Sequence, residues 1–341
     1  MGKTYRLGVA CLSHDHVWGE LLQWKQLGNV ELVAAGDDEP HLLEQLKPHV
    51  PNLRCYNSWQ EMLANEELDL LQVAGGNNES ADILEVACPK GLHIVVEKPM
   101  AATLEQAKRM KAAAEKAGTL LLINWPTAWS AHWQELERRV LAGDIGEVRY
   151  TRYRSAHSGP VAIGCAPSFV RDLTTPEING AGALMDYCCY AADLAARLLG
   201  QPQSVTGMRG YFGNEPAYAA SDDNAIIIAK YAHAFGVCEA SWTQPVGYAG
   251  TNPVVYGSEG SIGIHHKEVL IQRPGKPEEA ITPPDTQYPY RSAPEYLIHC
   301  LEHGLQIEGF CSAQVSLYAQ EILEAGLRSA NSGQTQTLPL S

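Results

Sequence analysis

Apolar and polar positions over the first 125 residues alternate between two periods. Short runs that are almost wholly apolar (TYRLGVAC, VELVAAGD, LDLLQVAGG, LHIVVEKP and TLLLIN) have the length of strands buried on both faces, and RCYNS reads as a shorter one. Between them lie segments with helical spacing. HVWGELLQWKQLG sets Val17, Leu21 and Trp24 on one face, with Gly28 placed to close the helix, and HLLEQLK, WQEMLANEE, SADILEVACPKG and TLEQAKRMKAAAEKAG follow. Thr103 and Gln106 make a capping box, and Gly118 supplies a stop. This alternation predicts a doubly wound α/β domain with a parallel sheet over residues 1–125.

Beyond residue 125 the pattern changes. Helical spacing returns in HWQELERRVLAG, LMDYCCYAADLAARLLG and SLYAQEILEAGLRSANSG. The intervening runs EVRYTRYRSA, SVTGMRGYF, NAIIIAKYAH, AFGVCEASWTQ, NPVVYGSEGSIGIHH and EVLIQRP are strand-like and bounded by Gly and Pro. They predict an α+β domain over residues 126–341, built on a large, mainly antiparallel sheet with one open face. An uncovered face invites self-association, so a homodimer or homotetramer is expected.

Composition narrows the function classes. A net charge of -14 leaves no basic footprint for nucleic acid or anionic lipid. No apolar run approaches the roughly 20 residues of a membrane span, and the N-terminus enters a strand without a signal or myristoylation pattern. Nine cysteines without a C-x-x-C point to a reducing cytoplasm and buried thiols.

The turn after the first strand, CLSHDH, stands where a dinucleotide site carries three glycines, and Cys11, Ser13 and His16 occupy their places. The context survives: strand, turn, helix, and a second strand ending in Asp37 about 20 residues on. Ser13 is placed to cap the helix and meet a phosphate. Asp15 would repel a phosphate unless it points away. Asp37 suits the ribose diol of NAD, and Asp38 beside it offers no arginine to the 2'-phosphate of NADP. At the end of HIVVEKPM, Lys98 faces the crevice, Pro99 fixes its direction, and Glu97 is expected to keep it charged. Asp186 and Tyr190 share a helix face after a glycine-rich approach.

Other residues carry weaker signals. Trp125 and Trp129 suit either sugar stacking or packing at the domain hinge, and His157 and Arg171 suit either substrate hydroxyls or a solvated loop. His14-x-His16 supplies two metal ligands where zinc takes four, so no metal is expected. Cys300 stands between His299 and His303 where a zinc protease has Glu.

Together these segments resemble the glucose-fructose oxidoreductase/inositol dehydrogenase (Gfo/Idh/MocA) family. The likeness runs through the turn, Asp37, AGGNN at 74–78, EKP at 97–99, G-x-L-M-D-x-x-x-Y through Tyr190, GSEGSIGI at 257–264 and the ending SANSGQTQTLPL. It implies a Rossmann domain joined to an open-faced sheet domain, a bound NAD, and hydride transfer at a sugar or polyol carbon. The cofactor would lie along Leu12, Ser13, His14 and His16, Asp37 and Asp38, Ala74, Gly75 and Asn77, and Glu97 and Lys98. Substrate would meet Trp125, His157, Arg171, Asp186 and Tyr190, with Lys98, Asp186 and Tyr190 at the chemistry. Many members carry His where Tyr190 stands, while the glucose-fructose oxidoreductase and dihydrodiol dehydrogenase branches carry Tyr. Lys98 would favour the Tyr190 phenolate. Two other readings stay open: an NAD-recycling glycoside-cleaving enzyme of the same fold, and a non-catalytic regulator binding dinucleotide or sugar.

Overall fold

The computed structural model describes residues 3–50, 52–247 and 250–340. The first sheet has six strands, β1 (Tyr5–Ala10), β2 (Val30–Gly36), β3 (Arg54–Tyr56), β4 (Leu70–Val73), β5 (His93–Glu97) and β6 (Leu121–Asn124). They lie in the order β3-β2-β1-β4-β5-β6, and every pairing is parallel. That order reverses between β1 and β4, which opens a crevice at the carboxyl ends of the strands. Every residue of β4 is buried, and so are Ile94 to Glu97 of β5, as expected of strands covered on both faces.

The crossovers are α1 (His16–Gln26), α2 (Pro40–Leu46), α3 (Trp59–Asn65), α4 (Ser80–Ala87) and α5 (Leu104–Ala117). Val17, Leu21 and Trp24 face inward from α1 as their spacing requires, and the Trp24 ring nitrogen donates to buried Gln72. The capping box at Thr103 is complete, and Gly118 takes the left-handed conformation that ends α5. Gly28 does not play that part: α1 ends with Leu27 already extended and Gly28 at an ordinary φ.

Helix α6 (Ala131–Leu141) leads to the second sheet, of nine strands: β7 (Val148–Ala156), β8 (Ser204–Gly210), β9 (Asn224–Lys230), β10 (Phe235–Ser241), β11 (Val254–Gly257), β12 (Ser261–His265), β13 (Glu268–Gln272), β14 (Glu279–Ile281) and β15 (Gln336–Thr337). Their order is β14-β13-β12-β11-β7-β10-β9-β8-β15, antiparallel except for β7 beside β10. Three helices precede β8: α7 (Pro167–Thr174), α8 (Pro176–Asn179) and α9 (Ala183–Leu199). Two more, α10 (Ala293–His303) and α11 (Ala313–Ser332), follow β14.

Helices α9 and α11 cover one face of this sheet, and the alternation along β9 shows which. Ala225, Ile227 and Ala229 are buried beneath them, whereas Ile226 and Ile228 point outward with Met208, Phe235 and Tyr256 on neighbouring strands. Helices α10 and α11 also return to the first sheet, where Gln320 accepts from the Ala101 N–H and Ser316 from the Trp125 ring. Among the described residues, no helix is long and apolar enough to cross a membrane.

Candidate functional site

Three elements converge at the carboxyl end of the first sheet: the turn after β1, the end of β5 and the start of α9. Cys11 has φ +65°, so it makes the left-handed bend that a glycine would make freely. The space for its side chain comes from Gly75, where an added Cβ would stand 2.5 Å from the Cys11 Cβ. The bend of a phosphate turn is therefore kept without the glycine.

Most other groups of the turn are already bonded. Asp37, 4% exposed, accepts the Leu12 and Glu39 N–H groups at 2.7 Å each. Burial pushes its carboxyl above the usual range, against the two N–H groups, which pull it down. Asp38 is exposed. The His14 N–H is bonded to the buried Ala74 carbonyl. Asp15 points away from the turn and accepts the Ala166 N–H at 2.9 Å, which removes the repulsion expected of it.

Ser13 does not cap α1, because its hydroxyl is bonded to Asp172 at 2.5 Å, and α1 starts after Asp15 with no side-chain cap. The segment Ala166–Asn179, carrying α7 and α8, lies across the crevice. Phe169 packs 4.3 Å from the His14 ring, Asn77 donates to Asn179 at 2.5 Å, and the Asn78 N–H bonds the Ile178 carbonyl. The gap beneath, lined by His14, Gly75, Asn77, Lys98, Phe169 and Asn179 among others, is only about 10 Å³, scarcely room for one water. Arg171 leaves the substrate side altogether: it pairs with Glu39 at 2.7 Å and Asp172 at 2.6 Å, at the end of the crevice that Asp37 occupies.

Lys98 is 2% exposed and its ammonium lies 2.8 Å from Asp186 Oδ1, at the start of α9. Glu97 points the other way, to His16 Nδ1 at 2.9 Å and Asn124 Nδ2 at 2.7 Å, so Asp186 rather than Glu97 holds Lys98 charged. Burial opposes the ammonium, but the Asp186 carboxylate 2.8 Å away outweighs it and Lys98 titrates well above the usual lysine range.

The Lys98 ammonium sits over the Tyr190 ring, 5.0 Å from its centre. Burial nevertheless dominates at Tyr190 and holds its hydroxyl well above the usual range, with Lys98 only a partial counterweight. Lys98 therefore favours the phenolate, as expected, but burial outweighs it.

Tyr190 opens onto a cleft of about 350 Å³ lined by Pro126, Thr127, Ser130, Trp133, Tyr153, Ser155 and Tyr187. Hydroxyls and aromatic faces alternate around it. Trp125 lies behind Tyr190, ring centres 5.9 Å apart, and at 1% exposure it is packing rather than a platform. Trp129 likewise donates inward to Asn124. His157 stands edge-on to Tyr187 at 4.7 Å, beside the cleft. Sequence reasoning missed Asp172, Asn179 and Tyr187. Pro167 at a helix start, followed by Phe169, Val170 and Leu173, was the available sign of α7.

Comparison with known proteins agrees with the fold. Residues 14–125 match the model of an oxidoreductase family with an NAD-binding Rossmann fold, and residues 133–263 match the GFO/IDH/MocA C-terminal domain. The chain is 27% identical over 234 residues to 1-carboxy-3-chloro-3,4-dihydroxycyclohexa-1,5-diene dehydrogenase of Comamonas testosteroni, covering 64% of this chain and 56% of that protein. It is 25% identical to scyllo-inositol 2-dehydrogenase (NAD(+)) of Bacillus subtilis, covering 80% of this chain and 76% of the relative. Its fold is shared with the WlbA dehydrogenase of Bordetella pertussis solved with NADH and UDP-GlcNAcA, at TM-score 0.78, 21% identity and full coverage of both chains.

Proposed function

The chain belongs to the GFO/IDH/MocA oxidoreductase family and carries its NAD-binding Rossmann domain, and on that footing we propose that it transfers hydride between NAD and a hydroxyl-bearing carbon of a sugar, polyol or glycoside. The observation that carries the proposal is the buried Lys98–Asp186 pair beneath the Tyr190 ring, at the end of a hydroxyl-lined cleft. Both named relatives are dehydrogenases of hydroxylated rings, which supports the substrate class.

The cofactor frame fits: parallel strands in dinucleotide order, a left-handed bend at Cys11 and a carboxylate at the end of β2. Asp37, Asp38 and Glu39 follow one another there, a setting that favours a ribose diol over a 2'-phosphate and hence NAD over NADP. Admitting a dinucleotide breaks the Ser13–Asp172 and Asn77–Asn179 contacts, so α7 and α8 move outward when it binds. When bound, the nicotinamide supplies the hydride acceptor or donor.

The chain's own residues handle the proton. Asp186 fixes the Lys98 ammonium, and Lys98 holds its charge against the Tyr190 ring. Protonated at neutral pH, Tyr190 is ready to donate to a carbonyl oxygen as it becomes a hydroxyl; in the oxidative direction its own proton first passes to solvent through the cleft, and the phenolate then accepts the hydroxyl proton as hydride leaves. Thr127, Ser130, Ser155 and Tyr187 offer hydrogen bonds to ring hydroxyls, with the Trp133 and Tyr153 faces beside them.

The test is a panel of sugars, polyols and glycosides with NAD, followed at the nicotinamide absorbance, in the wild type and in Lys98→Met. At least one substrate is expected to turn over in the wild type and to slow at least about 100-fold in the variant. No turnover across the panel, or a variant as fast as the wild type, sinks the proposal.

The outward row Met208, Ile226, Ile228, Phe235 and Tyr256 supports a homodimer or homotetramer joined through the second sheet. Sedimentation of Ile228→Glu is expected to show smaller species than the wild type; a wild-type monomer at every concentration refutes the assembly. All nine cysteines are unpaired, which fits a reducing cytoplasm.

A further inference from the structure

The side chains that replace the glycines of the turn form a cluster of their own. His14 and His16 stand at the carboxyl end of β1 with ring centres 4.5 Å apart, and Glu97 reaches them from the end of β5. One donor atom from each of the three lies within 4.8 Å of the other two. His16 Nδ1 and Glu97 Oε2 are already 2.9 Å apart. Two imidazoles and one carboxylate are a donor set used for zinc and for other first-row divalent ions. Ligands on a tetrahedral zinc are roughly 3.4 Å from one another, given metal–ligand bonds of about 2.1 Å, so modest side-chain rotation completes the set.

The surroundings are built as metal sites are. Asn124 Nδ2 donates to Glu97 Oε1 and also to Glu20, which orients the first carboxylate and keeps a second beside it. His14 Nδ1 accepts only a long 3.3 Å contact from the His16 N–H, one that an ion replaces. Glu20 and Glu97 are 4% and 3% exposed. Lys98 is committed to Asp186, and Glu97 is already paired with His16 at 2.9 Å, so the ion would replace the His16 proton between them.

We infer that His14, His16 and Glu97 bind one divalent ion of the zinc class at this turn, with Glu20 supporting the site through Asn124. The sequence offered two ligands and therefore no site; the fold brings β5 and α1 together and supplies the third ligand and its support. The inference rests on these side chains alone; because the same turn is the proposed dinucleotide site, it is tested on cofactor-free protein.

The experiment uses the full chain stripped with a chelator, then titrated with zinc by calorimetry and with cobalt by visible ligand-field absorption. One ion per chain is expected, with a cobalt spectrum of low coordination number. His16 is half-buried at the first turn of α1, so His16→Ala should remain folded, as circular dichroism will show, and bind at least about 100-fold more weakly. Glu20→Gln should weaken binding by about 10- to 100-fold. Half-buried His299 and exposed His303, ring centres 4.3 Å apart on α10, provide the control: His299→Ala with His303→Ala should leave the ion in place. No bound ion in the wild type, an ion unaffected by His16→Ala, or one lost with the α10 pair overturns the inference.

Discussion

Replacing Asp186 by asparagine isolates the interaction on which the proposed chemistry rests. The substitution is nearly isosteric and leaves the Lys98 ammonium, 2% exposed, without the carboxylate 2.8 Å away. Removing one member of a buried ion pair destabilises by about 3–5 kcal/mol, and because asparagine still offers an acceptor the lower end, about 3 kcal/mol, is expected. At an unfolding entropy of about 2.1 cal/mol/K per residue, a chain of 341 residues shifts by about 1.4 °C per kcal/mol, a fall of about 4 °C in Tm. Urea unfolding measures it, and the double variant Lys98→Met with Asp186→Asn measures the coupling. With both charges gone the chain should regain most of its stability, to within about 1 kcal/mol of the wild type. The pH dependence has a definite sign. The folded Lys98 titrates above its unfolded value of about 10.4, so the pair's contribution is complete below that pH and disappears as pH rises through the folded value. The wild type should therefore exceed Asp186→Asn by the same margin throughout the neutral range, and the gap should close only in strong alkali. A single variant within about 0.5 kcal/mol of the wild type, or a double variant as damaged as the sum of the singles, refutes the reasoning.

Two further predictions follow from the site. Tyr190→Phe should lower turnover by about 100- to 10,000-fold, and because burial holds the Tyr190 hydroxyl above its usual range, wild-type oxidation of an alcohol should keep rising with pH through the alkaline range; a plateau near neutral pH assigns the proton to another group. Gly75→Ala places a Cβ 2.5 Å from the Cys11 Cβ and should cost about 1–3 kcal/mol, while Cys11→Gly in the same chain should rescue it; urea curves without rescue would show that the close approach is not what Gly75 permits.

The first sheet was legible because its central strands β1, β4, β5 and β6 are short, apolar and largely buried on both faces, whereas the edge strand β3 is neither apolar nor buried. Helix α5 was legible for a different reason, since Thr103, Gln106 and Gly118 are local signals and act locally in the structure. The cofactor turn was only half legible. Its bend survives in Cys11 because Gly75, far away in sequence, vacates the space. Ser13 has a good capping side chain, but Asp172 takes its hydroxyl from 159 residues away, a competition that no local pattern announces. Glu97 misled in the same way, because a residue adjoining Lys98 in a strand points to the opposite face and meets His16 instead. The Tyr190 hydroxyl depended on a balance between burial and a cation, and spacing along a helix reports neither. Arg171 was readable as a binding or solvated loop residue, but it lies in the last turn of α7 and its side chain turns to Glu39 and Asp172, which no local pattern announces.

The most direct test of the account is whether a dinucleotide binds at a turn whose glycines are Cys11, Ser13 and His16. Calorimetric titration of NAD and then of NADP into protein shown by its spectrum to be cofactor-free measures this without presupposing a substrate. The account predicts one NAD per chain, with NADP weaker by at least about tenfold, the equivalent of roughly 1.4 kcal/mol. No binding of either, with the protein folded, would contradict it and would leave α7 and α8 as a permanent seal over the crevice.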